Sequence, residues 1–250
     1  MAIWEDGRLF FESDMFLLPE GRADKRFFEK LIEAHSDMPK FDMPWPTTEE
    51  DRPHLPPGGD HHKYHGRDSF VHMLKSVAEN ILAGVKTKGI LIATDAGDDP
   101  AKSFKNVCKQ IRDANKTSKA GNFPIPSAPM QTAAGSGRMP SIQIMLLPLS
   151  GRGSLETLCV QYLKKHQPKI HAAANAYLTT PPTDISAWNT EKQSKSHFQC
   201  MVAGTHEDDP TMSVYGALDR GLIDLQDPMF HPIRDQIKSF AANLASPLRP

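Results

Sequence analysis

The chain has 250 residues, 39% of them hydrophobic and 24% charged, a balance typical of a globular protein with room for an α/β domain and an appended helical part. The formal net charge is -1, so no overall field draws the protein to nucleic acid or to a membrane, and a nucleic-acid site has to be a local patch. The three cysteines lie far apart, which excludes a disulfide framework and a Cys-x-x-Cys zinc site.

Targeting signals are missing from the sequence pattern. No apolar run is as long as a membrane span, and the first residues have neither the charged nor the apolar region of a signal peptide. We therefore expect a cytoplasmic protein with no membrane partner. The oligomeric state is left open, with a homodimer among the alternatives.

Apolar runs and amphipathic periods alternate along the chain in an α/β order. Strands are predicted at 8–11, 15–19, 89–94 and 141–148, with a long loop at 115–140. Helices are predicted at 23–34, 70–81, 100–114, 155–166, 172–178, 188–203, 213–219 and 232–244. This order predicts an α/β fold, in which a mostly parallel sheet is flanked by helices and followed by a helical C-terminal extension. The predicted division is an α/β domain at 1–166 and a helical part at 167–250, or one continuous domain.

An acidic turn follows the predicted strand at 89–94. Asp95, Asp98 and Asp99 come directly after the apolar run and before a helix that begins at Pro100. In open α/β sheets the ligand lies beyond the carboxyl ends of the strands, which is where these carboxylates belong. The alternative is a solvated turn whose carboxylates cap the next helix.

A second acidic stretch follows the strand at 15–19. Glu20 stands at the carboxyl end of that strand, and Gly21 permits a tight turn and the close approach of a ligand. Asp24 lies in the first turn of the next helix, where a negative charge is stabilised by the helix dipole. The alternative role for Glu20 and Asp24 is helix capping.

These two stretches are expected to meet. Glu20 and Asp95 end strands that we predict to be neighbours, and two carboxylates at one sheet edge repel each other unless a cation bridges them. Hard cations such as Mg²⁺ take oxygen ligands from one or two carboxylates together with substrate phosphates. The pair therefore indicates metal-assisted chemistry on a phosphoryl group.

The elements Glu20-Gly21-x-x-Asp24 after one strand and Asp95 after another resemble the Toprim domain. That domain is shared by topoisomerases, bacterial primases and nucleases of the overcoming-lysogenisation-defect type, and the resemblance extends to small Toprim-like proteins of unassigned function. The motifs are short, so their specificity comes from order and context. Further matching signals, which spread the resemblance over nearly the whole chain, are Gly58-Gly59, Leu147-Pro148, 153–156, Lys195, Asp224-Leu225 and 228–230.

The resemblance implies a role for each matching residue. Glu20 is the acid/base, and Asp95, with Asp24 beside it, belongs to the ligands of Mg²⁺ or Mn²⁺. Glu156 falls on the position of a second-metal ligand and Lys195 on that of a late catalytic lysine. There are two departures: Pro19 precedes Glu20, and Gly97 stands where the pattern Asp-x-Asp has its second aspartate. Asp98 or Asp99, displaced by one or two residues, is then the replacement ligand.

A basic stripe follows the acidic turn. Its members recur at helical spacing, which fits either a solvated helix face or a surface that tracks phosphates. They are Lys102, Lys105, Lys109 and Arg112, continued by Lys116 and Lys119.

A histidine-rich stretch precedes the helix at 70–81. It fits a polar surface loop, or a zinc site, since zinc takes about four such ligands, or a loop whose Lys63, Tyr64 and Arg67 contact phosphate and base. Its histidines are His54, His61, His62, His65 and, beyond them, His72.

Two functions compete on these observations. The first is divalent-metal-dependent phosphodiester chemistry on nucleic acid, a nuclease or processing activity of the Toprim type. The second is a non-catalytic binding or regulatory module, with its metal site eroded at Gly97, that works with a partner such as an ATPase. The chain has no Walker motif of its own.

Overall fold

The computed structural model describes residues 3–5, 8–10, 13–43 and 70–245. Near the start of the chain, β1 (Ile3–Glu5) and β2 (Arg8–Phe10) form a small antiparallel hairpin. The strand predicted at 8–11 is confirmed as β2, but it pairs with β1 and does not join the main sheet. The predicted histidine-rich loop lies outside the described residues, except for His72.

The main sheet has four strands in the described part of the chain. They are β3 (Met15–Pro19), β4 (Gly89–Asp95), β5 (Thr132–Ala133) and β6 (Ser141–Leu147), in the spatial order β3-β4-β6-β5. The strand β4 pairs in parallel with β3 and with β6, whereas β5 is an antiparallel edge strand. The prediction of a mostly parallel sheet is therefore confirmed. The prediction of an uninterrupted loop at 115–140 was wrong at β5, because a strand of two residues is too short to show a periodic pattern in the sequence.

Helices cover both faces of this sheet and form the C-terminal part. Their bounds lie within a few residues of the predicted ones. They are α1 (Arg22–Glu33), α2 (Phe70–Leu82), α3 (Pro100–Asn115), α4 (Leu155–His166), α5 (Pro168–Thr179), α6 (Thr190–Thr205), α7 (Val214–Asp219) and α8 (His231–Ala245), with a 3-10 turn at Pro228–Phe230.

The alternation of side chains along the strands divides the core in two. Phe16, Ile90 and Ile142 face one side of the sheet, where α2 and α3 pack. Leu17 and Leu91 face the other side, where α1, α4 and the C-terminal helices share a single apolar cluster. Because the cluster draws on both predicted parts of the chain, the helices after residue 166 hold their positions by packing on the same sheet face. None of the described helices is long and apolar enough to cross a membrane.

Candidate metal and nucleic-acid site

The topology brings the predicted carboxylates to one edge of the sheet. Glu20 follows β3 directly, and Asp95 is the last residue of β4. Since β3 and β4 are parallel neighbours, the prediction that these two residues end adjacent strands is confirmed. Glu156 lies in the first turn of α4, which follows β6, the other neighbour of β4. The carboxylates thus stand at the carboxyl ends of three adjacent parallel strands.

Glu20 is held against the end of β4. Its Oε2 accepts a hydrogen bond from the backbone N–H of Asp95 at 3.1 Å and another from the Thr94 hydroxyl. Thr94 is buried, so this second donor is fixed by the core. The two donors orient the Glu20 carboxylate toward the neighbouring strand.

Asp24 is a buried acid in the first turn of α1. Its carboxylate folds back onto the backbone N–H groups of Gly21 and of Asp24 itself, which lower its pKa. Burial raises that pKa more strongly, the charges of Glu20 and Glu156 add to the effect, and the resulting pKa is about 8.

Gly21 leaves room for that carboxylate. A Cβ at position 21 would lie only 2.9 Å from Asp24 Oδ2. The backbone of Gly21 is extended, with φ at -142°, so the backbone conformation does not require a glycine here. It is the Asp24 carboxylate that requires position 21 to have no side chain.

Asp95 joins the ends of β4 and α4. Its Oδ1 accepts a hydrogen bond from the backbone N–H of Leu155 at 3.1 Å. Burial raises the pKa of Asp95 well above its usual range, and the charges of Asp24, Glu20 and Glu156 raise it further. The pKa of Asp95 is therefore raised by the charges of the three other carboxylates. We call this group, Glu20, Asp24, Asp95 and Glu156, the acidic cluster.

Glu156 is supported by hydroxyl groups. Its Oε2 accepts a hydrogen bond from the buried Ser154 hydroxyl at 2.7 Å. The Thr157 and Ser194 hydroxyls lie 2.7 Å apart and connect the start of α4 to α6. This link places the first turns of both helices beside the acidic cluster.

Lys195 is the cation that α6 brings to the cluster. Its partial burial alone would lower its pKa, but a hydrogen bond to Glu191 at 2.7 Å and the charges of Glu156, Glu191 and Asp95 produce a net increase. The predicted late lysine thus lies within electrostatic reach of the predicted metal ligands.

Gly97 has a structural reason to be a glycine. Its φ is +62°, in the left-handed region that side chains disfavour. Its N–H donates to the Gly153 carbonyl at 2.7 Å, and the Gly153 N–H donates back at 2.9 Å. The pair closes the loop after β4 onto the loop after β6. An aspartate in the Asp-x-Asp position would strain this contact between the segments that carry Asp95 and Glu156.

Asp98 and Asp99 are exposed and have backbone partners. Asp99 Oδ1 caps α3 by accepting a hydrogen bond from the Lys102 N–H at 3.0 Å. Asp98 Oδ1 accepts one from the Thr190 N–H at 2.7 Å, at the start of α6. Neither contributes to the raised pKa of Asp24 or Asp95 among its principal causes. Their predicted role as replacement ligands stays a prediction.

The acidic cluster is not a closed ligand set in this conformation. Among the described residues, no three Asp, Glu, His or Cys side chains are grouped closely enough to enclose a metal ion. The Asp95 and Asp24 carboxylates are instead turned to backbone N–H groups. Coordination of one cation by three side chains of the acidic cluster therefore requires them to move closer together.

The predicted basic stripe lies on the exposed side of α3. Lys102, Lys105 and Lys109 line a groove of about 470 Å³ together with Asp98 and Asp99. Arg112 is exposed on the same helix. The stripe thus begins beside the loop that follows Asp95.

Sequence reasoning missed the hydroxyls that support the cluster. Thr94 interrupts an otherwise apolar run just before Asp95, and this signal was available in the sequence. Ser154 was recognisable with Thr157 as a cap of α4, which the structure confirms, whereas Ser194 gave no signal, because serine is common on exposed helix faces. Only the contact between α4 and α6 shows what they do.

The fold and the site together define an open α/β protein with a cluster of carboxylates at the carboxyl edge of its sheet. The chain belongs to a family of proteins of unknown function, DUF3226, whose family model matches residues 14–241. No match to the chain is found among curated proteins or among solved structures.

Proposed function

We propose that the protein performs divalent-metal-dependent phosphodiester chemistry on nucleic acid, as a nuclease or processing enzyme of the Toprim type. The observation that carries the proposal is the acidic cluster, in which the pKa values of Asp24 and Asp95 are raised by burial and by neighbouring carboxylates. Like charges packed at a ligand-binding edge are costly unless they are protonated or neutralised by a cation.

The donor set fits Mg²⁺ or Mn²⁺. All members of the acidic cluster offer carboxylate oxygens, the ligand type that hard cations take, and no sulfur or imidazole ligand is needed. Asp95, Asp24 and Glu156 are the residues that would hold the ion. When bound, a divalent cation would stabilise the negative charge that develops on a transferring phosphate.

Glu20 is the residue best placed to move a proton. Its Oε2 is fixed by the Thr94 hydroxyl and by the Asp95 N–H, so this carboxylate has a defined position within the acidic cluster. A positioned carboxylate of this kind acts as a general acid or base. Lys195 supplies positive charge for the phosphate, and the stripe on α3 extends that charge along a bound strand.

Two measurements on the full chain test the proposal. Calorimetric titration with Mg²⁺ and with Mn²⁺ is expected to show binding that Asp95→Asn removes and that Asp113→Asn, a partly exposed control on α3, leaves unchanged. Assays on single- and double-stranded DNA and RNA are expected to show metal-dependent cleavage that Glu20→Gln abolishes. Cleavage that survives both Glu20→Gln and Asp95→Asn would overturn the mechanism.

A second candidate is the non-catalytic module that works with a partner such as an ATPase. The observation that favours it is the loop at Gly97, which has a glycine in place of a ligand and closes on Gly153 through backbone hydrogen bonds. Absence of metal binding by the wild-type protein would select this candidate. Co-purification of an ATPase with the protein would support this candidate further, if the interaction persists when residues of the acidic cluster are substituted.

A further inference from the structure

An exposed tryptophan lies beside the basic groove on α3. The side chain of Trp188 is 48% exposed, which is unusual for so large an aromatic group. It lines a second cavity of about 470 Å³ with Ala187, Asn189 and Lys192. The basic groove described above is lined by Lys102, Lys105 and Lys109.

The two cavities are joined by a specific contact. Asp98, which lines the basic groove, accepts a hydrogen bond from the Thr190 N–H at 2.7 Å. Thr190 is two residues beyond Trp188, at the first position of α6. The aromatic surface and the lysine groove therefore lie on either side of this tether.

The tryptophan is held in a fixed loop. The Trp188 N–H donates to the Ile185 carbonyl at 2.9 Å, and its carbonyl accepts from the Gln193 side chain at 2.6 Å. Asn189 caps α6 by accepting from the Lys192 N–H at 2.9 Å. An exposed ring on an ordered loop loses little conformational entropy when a ligand covers it.

The same helix leads from the ring to the acidic cluster. Lys192 and Lys195 are three residues apart on α6 and so lie on neighbouring parts of its surface. At a rise of about 1.5 Å per residue, Lys195 lies roughly 7.5 Å along the helix axis from Thr190, the first residue of α6, and Trp188 stands two residues before Thr190. Lys195 is in turn within electrostatic reach of Glu156 and Asp95. A strand whose phosphate is at the cluster can therefore place a nearby base at the ring.

We propose that Trp188 is a stacking platform for an unpaired base, so that the substrate class of this site is single-stranded nucleic acid. The inference rests on the proposed function for its location at a catalytic edge. Positive charge that tracks the backbone, combined with an aromatic face for the base, is how single strands are bound without sequence readout. The bases of an intact duplex are stacked on each other and cannot cover an indole ring in this way.

Binding without metal tests the inference separately from the chemistry. Fluorescence anisotropy of labelled 12-nucleotide single strands and of the matching duplex is measured on the full chain in EDTA. We expect Trp188→Ala to weaken single-strand binding by about 5- to 100-fold, the range for one stacked base, and Trp188→Phe to retain most of it. Tyr177→Ala removes another exposed ring, which lines neither cavity, and is expected to have no effect.

The source of the Trp188 effect is identified by two further arms. A fully abasic 12-nucleotide strand is expected to bind wild type and Trp188→Ala equally, because it has no base to stack on the ring. In a Trp4→Phe/Trp45→Phe background, single strands are expected to quench the remaining indole. Unchanged folding of each variant is checked by circular dichroism and melting temperature.

The outcomes are distinguishable from those of the proposed function. Three outcomes would each overturn the stacking inference. They are equal single-strand binding by Trp188→Ala and wild type, equal affinity of the wild type for the single strand and for the matching duplex, and no affinity for any oligonucleotide. If Trp188-dependent binding is found but metal binding and cleavage are absent, the inference stands and the catalytic proposal fails. If cleavage occurs with the same rate on single strands in Trp188→Ala, the catalytic proposal stands and the inference fails.

Discussion

Asp227 and the carboxylates of the acidic cluster lie in opposite electrostatic environments. The Asp227 carboxylate, just before the 3-10 turn, accepts hydrogen bonds from the Lys165 ammonium at 2.7 and 2.9 Å and from the Met229 N–H at 2.9 Å. The His166 ring nitrogen Nε2 lies 2.8 Å from the same carboxylate. The hydrogen bonds from Lys165 and then from Met229 lower the pKa of Asp227 well below its usual range. In the acidic cluster, by contrast, burial and like charge raise the pKa values of Asp24 and Asp95.

This difference separates a carboxylate held in an ion pair from carboxylates whose pKa values are raised by burial and like charge. The Asp227 contacts join the end of α4 to the start of α8, and every acceptor oxygen of that carboxylate has a donor. The acidic cluster has Lys195 as its nearby cation, and this lysine is already bonded to Glu191. Carboxylates whose pKa values are raised by burial and by like charge are often found at functional sites.

The strongest test of this contrast is to replace Asp95 in the acidic cluster and, in a separate variant, Asp227. Asp95→Asn is expected to reduce metal-dependent cleavage at least about 100-fold, because a ligand is lost where charge develops. Asp227→Asn is expected to leave the cleavage rate unchanged and to lower the melting temperature, because the Lys165 pairing is weakened. The measurement is the initial rate together with a thermal melt for each variant. A rate loss in Asp227→Asn at a temperature where it is folded would remove the distinction.

The pH dependence of stability has opposite signs in the two groups. The folded-state pKa of Asp24, about 8, is above its unfolded value, so between about pH 4 and pH 8 the folded state binds more protons. Stability without metal is therefore expected to fall as the pH rises through this window, by at most about 1.4 kcal/mol per pH unit for one carboxyl group. The pKa of Asp227 is lowered, so its contribution is present above about pH 4 and is lost in acid.

Denaturant unfolding between pH 4.5 and 8.5 checks this sign. Asp24→Asn is expected to flatten the decline, and saturating Mg²⁺ is expected to reverse part of it, because a cation favours the ionised cluster. Asp37→Asn, at an exposed carboxylate paired with Lys238, serves as the control. An undiminished slope in Asp24→Asn would show that the burial and charge at this position do not control the protonation of the folded state.

Neutralising the cation of the cluster is expected to have a smaller effect on the chemistry. Lys195→Gln should reduce cleavage about 10-fold or more, because the phosphate loses a compensating charge, while Lys195→Arg retains part of the rate. Lys169→Gln, at an exposed lysine on α5, should leave the rate unchanged. The comparison is made as kcat and KM over a range of salt. An equal loss in both glutamine variants would point to general charge and not to the position of Lys195.

The smallest expected effect concerns the loop that replaces the second aspartate. Gly97 and Gly137 share a φ of +62°, but only Gly97 is buried and paired with Gly153. Gly137→Ala should cost about 1 kcal/mol of unfolding free energy, from backbone strain alone, and Gly97→Ala should cost more. Equal costs, measured by urea unfolding, would mean that the Gly97 and Gly153 hydrogen bonds do not stabilise the sheet edge.

Periodicity predicted most of the elements. The buried strand β4 and the amphipathic helices α1, α3 and α4 have strong patterns, and their bounds were predicted to within about two residues. Helix α5 begins at Pro168, four residues before the predicted start, because the alanine-rich pattern does not mark where a proline opens the first turn. The strand β5 was missed because its position depends on pairing with β6, which lies about ten residues later in the chain.

The candidate site was predictable only in part. Glu20 and Asp95 could be paired from the sequence because each follows an apolar run that predicts a parallel strand. The burial of Asp24 depends on the close approach of Gly21, and the raised pKa values depend on how near the carboxylates come to each other. The backbone partners of Asp98 and Asp99 likewise follow from how α3 and α6 start, and no local pattern contains that information.

Local patterns of apolar and polar residues were sufficient to predict the fold class, the order of the elements and the strand ends at which Glu20 and Asp95 stand. The burial of Asp24 and the electrostatic effect of Glu156 on Asp24 and Asp95 became visible only in the tertiary structure, as did the closure of Gly97 on Gly153 and the position of Trp188 beside the basic groove. The physical reason is that these relations join residues far apart in the chain. They depend on the parallel register of β3, β4 and β6 and on the packing of α4 against α6.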